Sequence, residues 1–450
     1  MIRSGSIFFF LFCSLLLWGQ SDNTLHFQRQ LFQSLQTNAA FAPKEKLVFG
    51  IGGIAGGLNF RGPSFDDVLR EENGRRILNV NFVISQMERR NLLQESLSIE
   101  TIGAAVRFDD LSIHIGHRIR SEGFFEYPRT LAQVIFEGNA QFIGETIDLS
   151  TNLQISSYHE FALGAAYQFG DLTIGARAKY LNGIAYLKTV RNKLLLTTDE
   201  DAYQLTLDTD YLIRTAGLLD YRAIDDFDFN FGFQLDDFGT FFGNNHGFAL
   251  DLGAQYTLGD LTLTVSAVDL AGSIDWTEEI ENLRSEQVLT YEGLDISEAL
   301  TGGGVDLDNA LDTLNQILEF TTDQVAFEEP LNRRLYFSLL HRVSEKLSVG
   351  GLLTFRERQL LDDEFGFTLS AQFQPIEALY LGATYASRRN DFDNLGLQVS
   401  YTLGPVQLFG MTDDVLSITS YQNRKGANFR AGLNLMFGKP EAEESGTKYY

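Results

Sequence analysis

The strongest constraint on this chain is a two-residue alternation of apolar and polar side chains that recurs between residues 94 and 437. In the clearest hairpin, every second residue from Phe161 to Phe169 is apolar, and the intervening residues are small or polar. The turn Gly170-Asp171 leads into a second alternating run that ends at Tyr180. Since successive side chains of a strand point to opposite faces, each run predicts a strand with one apolar face.

The apolar face recurs in nearly every hairpin, and no segment of the sequence has the pattern of a layer that would cover it. A water-soluble sheet buries its apolar face in a core, whereas a transmembrane β-barrel turns that face toward lipid. We therefore predict an all-β fold, an antiparallel transmembrane β-barrel that lies in the cell outer membrane and contacts outer-membrane lipid.

The predicted strands form six hairpins with tight polar turns, preceded by a strand at Lys46–Phe60 and followed by one at Phe429–Phe437. The hairpins are Gln94–Phe108 with Leu111–Arg120, Leu153–Phe169 with Leu172–Leu187, Phe248–Leu258 with Leu261–Leu270, Leu335–Arg342 with Leu347–Arg356, Phe365–Phe373 with Leu379–Arg388, and Leu395–Leu403 with Val406–Met411. With the N-terminus in the periplasm, all the short turns are periplasmic and all the long connections are external, as in outer-membrane barrels.

These segments amount to about 14 strands, and 16 if Tyr203–Arg214 and Phe227–Leu235 also cross the membrane. We favour 14, because the run 172–198 is longer than the roughly 9–11 residues of one crossing. Its outer part would then continue above the membrane, where Tyr203–Arg214 would pair with it.

The chain divides into four segments. Residues 1–20 have the pattern of a signal peptide, with Arg3 followed by an apolar stretch from Ile7 to Trp18. Residues 21–45 form a polar lead, either periplasmic or folded into the barrel mouth as a plug. The barrel spans 46–437 and carries a long extracellular insertion at 272–332, and residues 438–450 form a periplasmic tail.

Short helices are predicted in the extracellular insertions. Tyr127–Phe136 has a proline near its start and apolar residues on one face. Asp306–Phe320 has leucines at helical spacing, and Thr277–Leu289 shows this pattern more weakly. Before the first hairpin, Ser64 followed by an acidic turn also indicates a short helix.

Charge and cysteine content exclude several partners and chemistries. A formal net charge of −25 argues against a nucleic-acid partner, which requires a basic surface. Acidic loops such as Asp362-Asp363-Glu364 serve solubility or bind divalent cations that bridge to lipopolysaccharide. The single cysteine, Cys13, lies in the signal peptide, so the mature chain has no disulfide.

Three local motifs suggest chemistry, and each has a structural explanation. Residues 50–55 fit G-x-G-x-x-A, but no helix follows, so a bent strand or a backbone close to a plug is expected instead of a cofactor site. His114 and His117 would lie on opposite faces of a strand and bind no metal. Ser156 or Ser157 with His159 lacks an orienting group, so we expect neither enzyme activity nor a catalytic residue.

Alternation points seven basic side chains into the lumen: Arg107, Arg118, Arg120, Arg177, Lys179, Arg356 and Arg430. In one interpretation they form internal salt bridges with Glu100, Glu160 and Asp251. In the other they attract an anionic substrate or a carboxylate headgroup. Inward small residues leave room beside them: Ala162, Gly164, Ala166, Gly175, Gly350, Gly382 and Gly396.

The sequence resembles a family of uncharacterised outer-membrane barrels from the Bacteroidota. Asn38-Ala39-Ala40-Phe41-Ala42-Pro43 is similar to the family's Asn-Pro-Ala-Phe-x-Pro, with Ala39 in place of proline. Further similar segments are Phe125-Glu-Tyr-Pro128, Phe142-Ile-Gly-Glu-Thr146, Tyr158-His-Glu-Phe-Ala-Leu-Gly164 and Gly175-Ala-Arg-Ala-Lys-Tyr-Leu181. The resemblance extends distantly to long-chain fatty-acid (FadL-like) transporters and to PorV-like barrels of the gliding-associated secretion system. It implies the fold and the location, and no catalytic residue or substrate.

Two functions fit these predictions. The first is a channel or transporter for small hydrophobic or anionic molecules. The alternative is a non-transporting scaffold that docks a secretion-system or surface-protein partner through the insertion at 272–332 and the acidic loops.

Overall fold

The structure is a computed structural model. It describes residues 22–68, 70–72, 75–77, 79–201, 204–217, 219–221, 227–229, 243–291, 320–388, 391–416 and 426–438. The predicted helix at Asp306–Phe320 and most of Phe227–Leu235 lie outside these residues.

The described residues form 23 strands and a few short helices. The strands are β1 Leu47–Arg61, β2 Arg70–Glu72, β3 Arg75–Ile77, β4 Arg90–Phe108, β5 Leu111–Pro128, β6 Thr146–Asp148, β7 Asn152–Phe169, β8 Leu172–Thr198, β9 Leu205–Gly217, β10 Leu219–Tyr221, β11 Phe227–Phe229, β12 His246–Leu258, β13 Leu261–Trp276, β14 Glu281–Tyr291, β15 Thr321–Asp323, β16 Phe327–Pro330, β17 Arg334–Arg342, β18 Leu347–Arg356, β19 Glu364–Ile376, β20 Leu379–Arg388, β21 Asp391–Leu403, β22 Val406–Thr412 and β23 Gly426–Phe437. The α-helices are α1 Asp22–His26, α2 Phe65–Val68, α3 Val80–Gln86 and α4 Arg129–Glu137, and Phe32–Gln36 and Ala140–Phe142 are 3-10 turns.

Fourteen of these strands close into one antiparallel barrel, as predicted. Their order around the wall is β1, β4, β5, β7, β8, β12, β13, β17, β18, β19, β20, β21, β22 and β23. The ring closes because β1 pairs with both β4 and β23, so that Leu47 lies opposite Val106 on one side and Phe437 on the other. Closure leaves no wall strand with an unpaired edge.

The two ends of the barrel differ. The turns after β4, β7, β12, β17, β19 and β21 are short and lie at one end, together with the start of β1 and the end of β23. We call this the turn end, and the opposite end, which carries the long connections, the loop end. The tight joints predicted from the sequence therefore share one end of the molecule.

Beyond the loop end, the wall continues as a small external sheet. The outer part of β8 pairs with β9, from Ala185 opposite Gly217 to Thr198 opposite Leu205, as the long run 172–198 predicted. β14 then pairs with β9, so the helix expected at 277–289 is wrong. The predicted helix near Tyr127 is present as α4, which lays Leu131 and Val134 on this sheet.

Two other local predictions are confirmed. In β1 the pairing with β23 slips between Gly50 and Gly53, and Gly52 has a φ of 76°, which favours glycine. The G-x-G-x-x-A motif is therefore a bent strand. At α2, the Ser64 hydroxyl accepts a hydrogen bond from the Asp67 backbone N–H (3.3 Å), as an N-terminal capping serine does.

The outer surface of the barrel carries an apolar band. Large side chains in it are strongly exposed, for example Ile102 at 60% and Leu163 at 59%. Outward aromatic residues border this band: Phe108, Phe169 and Tyr256 toward the turn end, and Tyr180, Phe248 and Phe365 toward the loop end. Phe248 and Leu258 are ten residues apart along β12, which is about 25 Å along the axis of a barrel with strands tilted by about 40°.

None of the helices in the described residues has the length and the apolar character needed to cross a membrane.

Candidate functional site

The N-terminal segment lies inside the barrel. His26 is fully buried, and its Nε2 contacts Thr264 Oγ1 at 3.2 Å and Ser338 Oγ at 3.0 Å, on the inner faces of β13 and β17. At the other end of the segment, the Pro43 carbonyl oxygen accepts a hydrogen bond from Arg107 near the turn end (3.4 Å). These contacts lie on the inner surface of the barrel wall. We call residues 22–43 the plug.

Polar groups bind much of the plug to the wall. Gln28 donates its amide to Gln372 at 2.8 Å, and Gln33 donates to Asn434 at the same distance. Thr24 shares a hydroxyl hydrogen bond with Thr384 (2.9 Å). A short α1 helix, a 3-10 turn and hydrogen-bonded bends satisfy most of the segment's own backbone. None of the described strands lies within residues 22–43, so side-chain contacts hold the plug against the wall.

The small inward residues of the wall make space for the plug. A Cβ on Gly175 would lie 2.1 Å from the Ala39 carbonyl oxygen, and one on Gly253 would lie 1.9 Å from Asn38 Oδ1. A Cβ on Gly396 would lie 2.8 Å from Thr24 Oγ1. The room that the sequence predicted beside the basic residues is thus filled by the chain's own segment at these positions.

Behind the plug, Glu160 on β7 is the first of two buried anionic centres. Arg118 binds it through two parallel hydrogen bonds of 2.9 and 2.7 Å. Arg177 adds a third bond at 2.7 Å, and Arg120 a longer one at 3.3 Å. This carboxylate carries more cationic partners than it can neutralise, so the cluster needs further acids.

Asp269 on β13 is the second centre. Its carboxylate contacts Lys179 at 2.6 Å, Arg334 at 2.8 Å and Arg120 at 3.1 Å. Asp269 has a φ of 62°, and its backbone N–H donates to Asp251 (2.9 Å), which also pairs with Lys179. This bulge turns a side chain inward that strict alternation would place on the outer face.

The plug contributes acceptors to the same network. The Asp22 carboxylate contacts Arg334 Nη1 at 2.8 Å and Arg430 Nη2 at 3.3 Å. Gln36 Oε1 accepts from Arg118 at 2.9 Å and from Arg430 at 3.0 Å. Burial alone would raise the pKa of Asp22, but the nearby arginines, with Arg334 foremost, outweigh burial and lower this pKa to about 2.

Burial also shifts the pKa of His26 in the plug. Desolvation disfavours its charged form, and the neighbouring Arg29 acts in the same direction, so the pKa of His26 falls to about 3. Its ring stacks on Tyr336 at a centroid distance of 5.4 Å. The plug is thus fitted to the wall around a neutral imidazole.

Five of the seven predicted lumen residues lie together in this network: Arg118, Arg120, Arg177, Lys179 and Arg430. Arg356 joins at its edge through Glu122, at 2.6 Å. Arg107 lies apart, near the turn end, where it contacts Gln168 (3.2 Å).

The predicted acidic partners behave differently from one another. Glu160 and Asp251 form ion pairs, whereas Glu100 accepts the plug amides of Gln33 (3.1 Å) and Gln36 (3.0 Å). Four charged members of the network were missed: Asp22, Glu122, Asp269 and Arg334. Arg334 had a usable signal, because it precedes the predicted strand at Leu335 and has inward parity.

The outer wall carries a polar group that sequence reasoning did not foresee. His117 Nε2 contacts His159 Nδ1 on the adjacent strand at 3.1 Å, while His114 points inward and is buried. The Ser157 hydroxyl shares a hydrogen bond with Ser121 at 2.8 Å. In the part of the chain that the structure describes, no three His, Cys, Asp or Glu side chains group as metal ligands would.

Small cavities flank the plug, and two of them lie beside charged residues. One, of about 80 Å³, lies beside Asp22 and is lined by Arg334, Arg356 and Tyr336 among others. The other, of about 290 Å³, lies at the turn end beside Arg29 and Arg107.

Comparisons with known proteins identify a family and several solved structures of low sequence identity. The sequence matches the model of a family of unknown function, DUF5723, over residues 40–413. No curated protein matches it.

Solved structures with a similar fold include the toluene transporter TbuX of Ralstonia pickettii, with a TM-score of 0.42, 10% identity, and coverage of 90% of this chain and 93% of that one. The toluene transporter TodX of P. putida has a TM-score of 0.43, 10% identity, and coverage of 90% and 94%. The monoaromatic hydrocarbon channel CymD has a TM-score of 0.39, 10% identity, and coverage of 94% and 98%. At such low identity and TM-score, the similarity gives no information about which ligand this chain binds.

Proposed function

Because this chain belongs to the DUF5723 family, whose description names no activity, we propose a function from its geometry. The protein is an outer-membrane β-barrel that works as a plug-gated channel or transporter for small hydrophobic or anionic molecules. The turn end faces the periplasm and the loop end faces the exterior, as short periplasmic turns and long external loops do in such barrels.

The exposed apolar band supports the location in a membrane. Monomeric soluble proteins rarely expose a continuous apolar surface of this extent, since it would drive association in water. The bordering aromatic side chains suit the two lipid–water interfaces. A signal peptide at residues 1–20 would direct the chain to export, and the barrel would then insert through its strands.

One observation carries the proposal of transport: many of the contacts between the plug and the inner wall are polar. The wall groups that it contacts, such as Thr264, Ser338 and Gln372, are groups that water can satisfy when the plug shifts. Apolar contacts also join the plug to the wall, as where Phe27 packs on Val268, Tyr336 and Leu352, but they lie among these polar groups. The inner surface is therefore suited to a wet passage.

The apolar residues of the plug limit how far it moves. Six large ones are buried: Leu25, Phe27, Leu31, Phe32, Leu35 and Phe41. At about 1.5–3 kcal/mol for each side chain, exposing all six to water would cost on the order of 9–18 kcal/mol. The plug thus opens by a shift within the lumen, and it does not leave the barrel.

A disulfide between the plug and the wall tests gating. The Thr24 and Thr384 hydroxyls are 2.9 Å apart, and Cys13, in the signal peptide, is the one cysteine of the whole chain. We expect Thr24→Cys with Thr384→Cys, oxidised in liposomes, to stop uptake of labelled small anions and hydrophobic molecules, and reduction to restore it.

The matched control is Ser121→Cys with Ser157→Cys, which joins two wall strands at a similar separation of 2.8 Å without touching the plug. Oxidation of this control should leave uptake unchanged. If uptake is the same whether the plug disulfide is formed or reduced, gating by the plug is contradicted. A folded barrel with no uptake in either redox state contradicts transport and leaves the scaffold alternative.

A further inference from the structure

The Asp22 carboxylate occupies a site made by two arginines from distant wall strands. Arg334 begins β17, Arg430 lies in β23, and both are buried. Each gives one guanidinium nitrogen to a different oxygen of the same carboxylate, at 2.8 and 3.3 Å. Charge-assisted hydrogen bonds of this kind are the strong ones, and two of them fix the orientation of a carboxylate.

The plug supplies one negative charge, Asp22, to a network of ion pairs that wall residues otherwise form. Seven wall cations are linked by ion pairs: Arg118, Arg120, Arg177, Lys179, Arg334, Arg356 and Arg430. The wall acids are Glu122, Glu160, Asp251 and Asp269 in ion pairs, with Glu100 and Asp413 held by plug donors. Within these ion pairs, Asp22 is the acid that Arg430 binds, and one of the two acids that Arg334 binds.

When the plug shifts, Arg430 loses its carboxylate partner and Arg334 keeps only Asp269. Removal of one partner from a buried ion pair leaves the other charge uncompensated, and this costs far more than the loss of an exposed ion pair. Another carboxylate in the same place would restore both ion pairs. An apolar surface also adjoins the site, where Phe27 of the plug covers Val268, Tyr336 and Leu352 of the wall.

We propose that Arg334 and Arg430 form a binding site for the carboxylate of a small organic acid with an apolar body, and that Asp22 occupies this site in the closed state. In the closed state, Asp22 takes the place of the ligand's carboxylate and Phe27 takes the place of its apolar body. The inference rests on the proposed function and narrows the cargo to carboxylates that compete with the plug.

Chemical rescue tests the site without measuring transport. The probe is benzoate, and benzamide is its uncharged counterpart of nearly equal shape. In Asp22→Ala purified in detergent, we expect benzoate to raise the midpoint of thermal unfolding by several degrees, and benzamide to leave it unchanged. Asp22→Ala with Arg334→Met should lose this response.

The control is Asn23→Ala, which removes the neighbouring plug side chain and its hydrogen bond to Thr368 (3.0 Å) but no charge. It should show no response to benzoate. If benzoate and benzamide stabilise Asp22→Ala equally, the probes only fill the cavity left by the Asp22 side chain, and the proposal of a carboxylate site is overturned. No stabilisation by either would overturn it as well.

If Asp22→Ala does not fold alone, refolding in the presence of each probe becomes the readout. Refolding helped by benzoate only supports the site, and refolding that benzoate does not help overturns it. If benzoate stabilises Asp22→Ala but the barrel takes up no labelled molecules in liposomes, the carboxylate site is supported and the proposed transport is contradicted. If the barrel takes up these molecules but benzoate does not stabilise the variant, transport is supported and the carboxylate site is contradicted.

Discussion

Asp22 of the plug and Arg334 at the loop end of β17 are joined at 2.8 Å, although 312 positions separate them in the chain. Because Pro43 lies beside Arg107 near the turn end, the plug traverses the lumen from its loop half to the turn end. Asp22, the first described residue of the chain, is thus held inside the barrel by its ion pairs with Arg334 and Arg430 of the wall.

Asp22→Asn should destabilise the folded barrel by about 3–5 kcal/mol, because it removes the carboxylate that pairs with buried Arg430 and one of the two that pair with buried Arg334. Denaturant unfolding in detergent measures the loss. The control is Arg333→Gln, which breaks an exposed ion pair with Glu357 next to the site in sequence and should leave stability almost unchanged. Equal effects of the two variants would contradict the role given to Asp22.

Stability should fall as the pH drops below about 6.5. His26 has a folded-state pKa of about 3 and an ordinary value of 6.5, so the unfolded chain takes up the proton first. Its contribution is present above pH 6.5 and decreases by about 1.4 kcal/mol per unit as the pH falls toward 3. His26→Gln should have a shallower loss of unfolding free energy between pH 7 and pH 5, and an identical slope would refute this assignment.

Gly175→Ala should loosen the plug, because its Cβ would meet the Ala39 backbone. Overpacking of this kind costs roughly 1–3 kcal/mol. Hydrogen exchange of residues 37–41 should accelerate while exchange in the wall strands stays slow. Gly410→Ala, where nothing lies within 4 Å of the added carbon, is the matched control and should leave exchange as it is.

Leu163→Arg should weaken folding into lipid vesicles by about 2–4 kcal/mol, since this side chain is 59% exposed in the middle of the apolar band. Leu403→Arg, at the turn end and 69% exposed, should cost at most about 1 kcal/mol. In water both changes would be harmless, so a large and depth-dependent cost identifies lipid as the outer medium.

The sequence predicted the barrel well because strand alternation and tight turns are local signals. Gly170-Asp171 and the hydropathy of its flanking strands determine a hairpin with no knowledge of the rest of the molecule. The pairing of β9 with the long β8 followed from the same argument about length. The helix at 277–289 failed because Ile280 and Leu283 fit a helical spacing, whereas tertiary pairing with β9 made the segment a strand.

The site was harder to predict because it depends on contacts between distant segments. Alternation placed Arg118, Arg177 and Arg430 inside the barrel, but it cannot report that the plug fills the lumen in front of them. It also cannot anticipate the bulge that turns Asp269 inward. Fully buried polar residues in the plug, such as His26, have no periodic signature at all.

Single-channel recording in planar bilayers tests most directly whether the plug seals the barrel. The full chain should be closed for most of the record, and a variant that lacks residues 22–43 should give a steady conductance of fixed size. If the full chain and the variant conduct equally, the lumen is not sealed by its N-terminal segment, and the account of the plug is wrong.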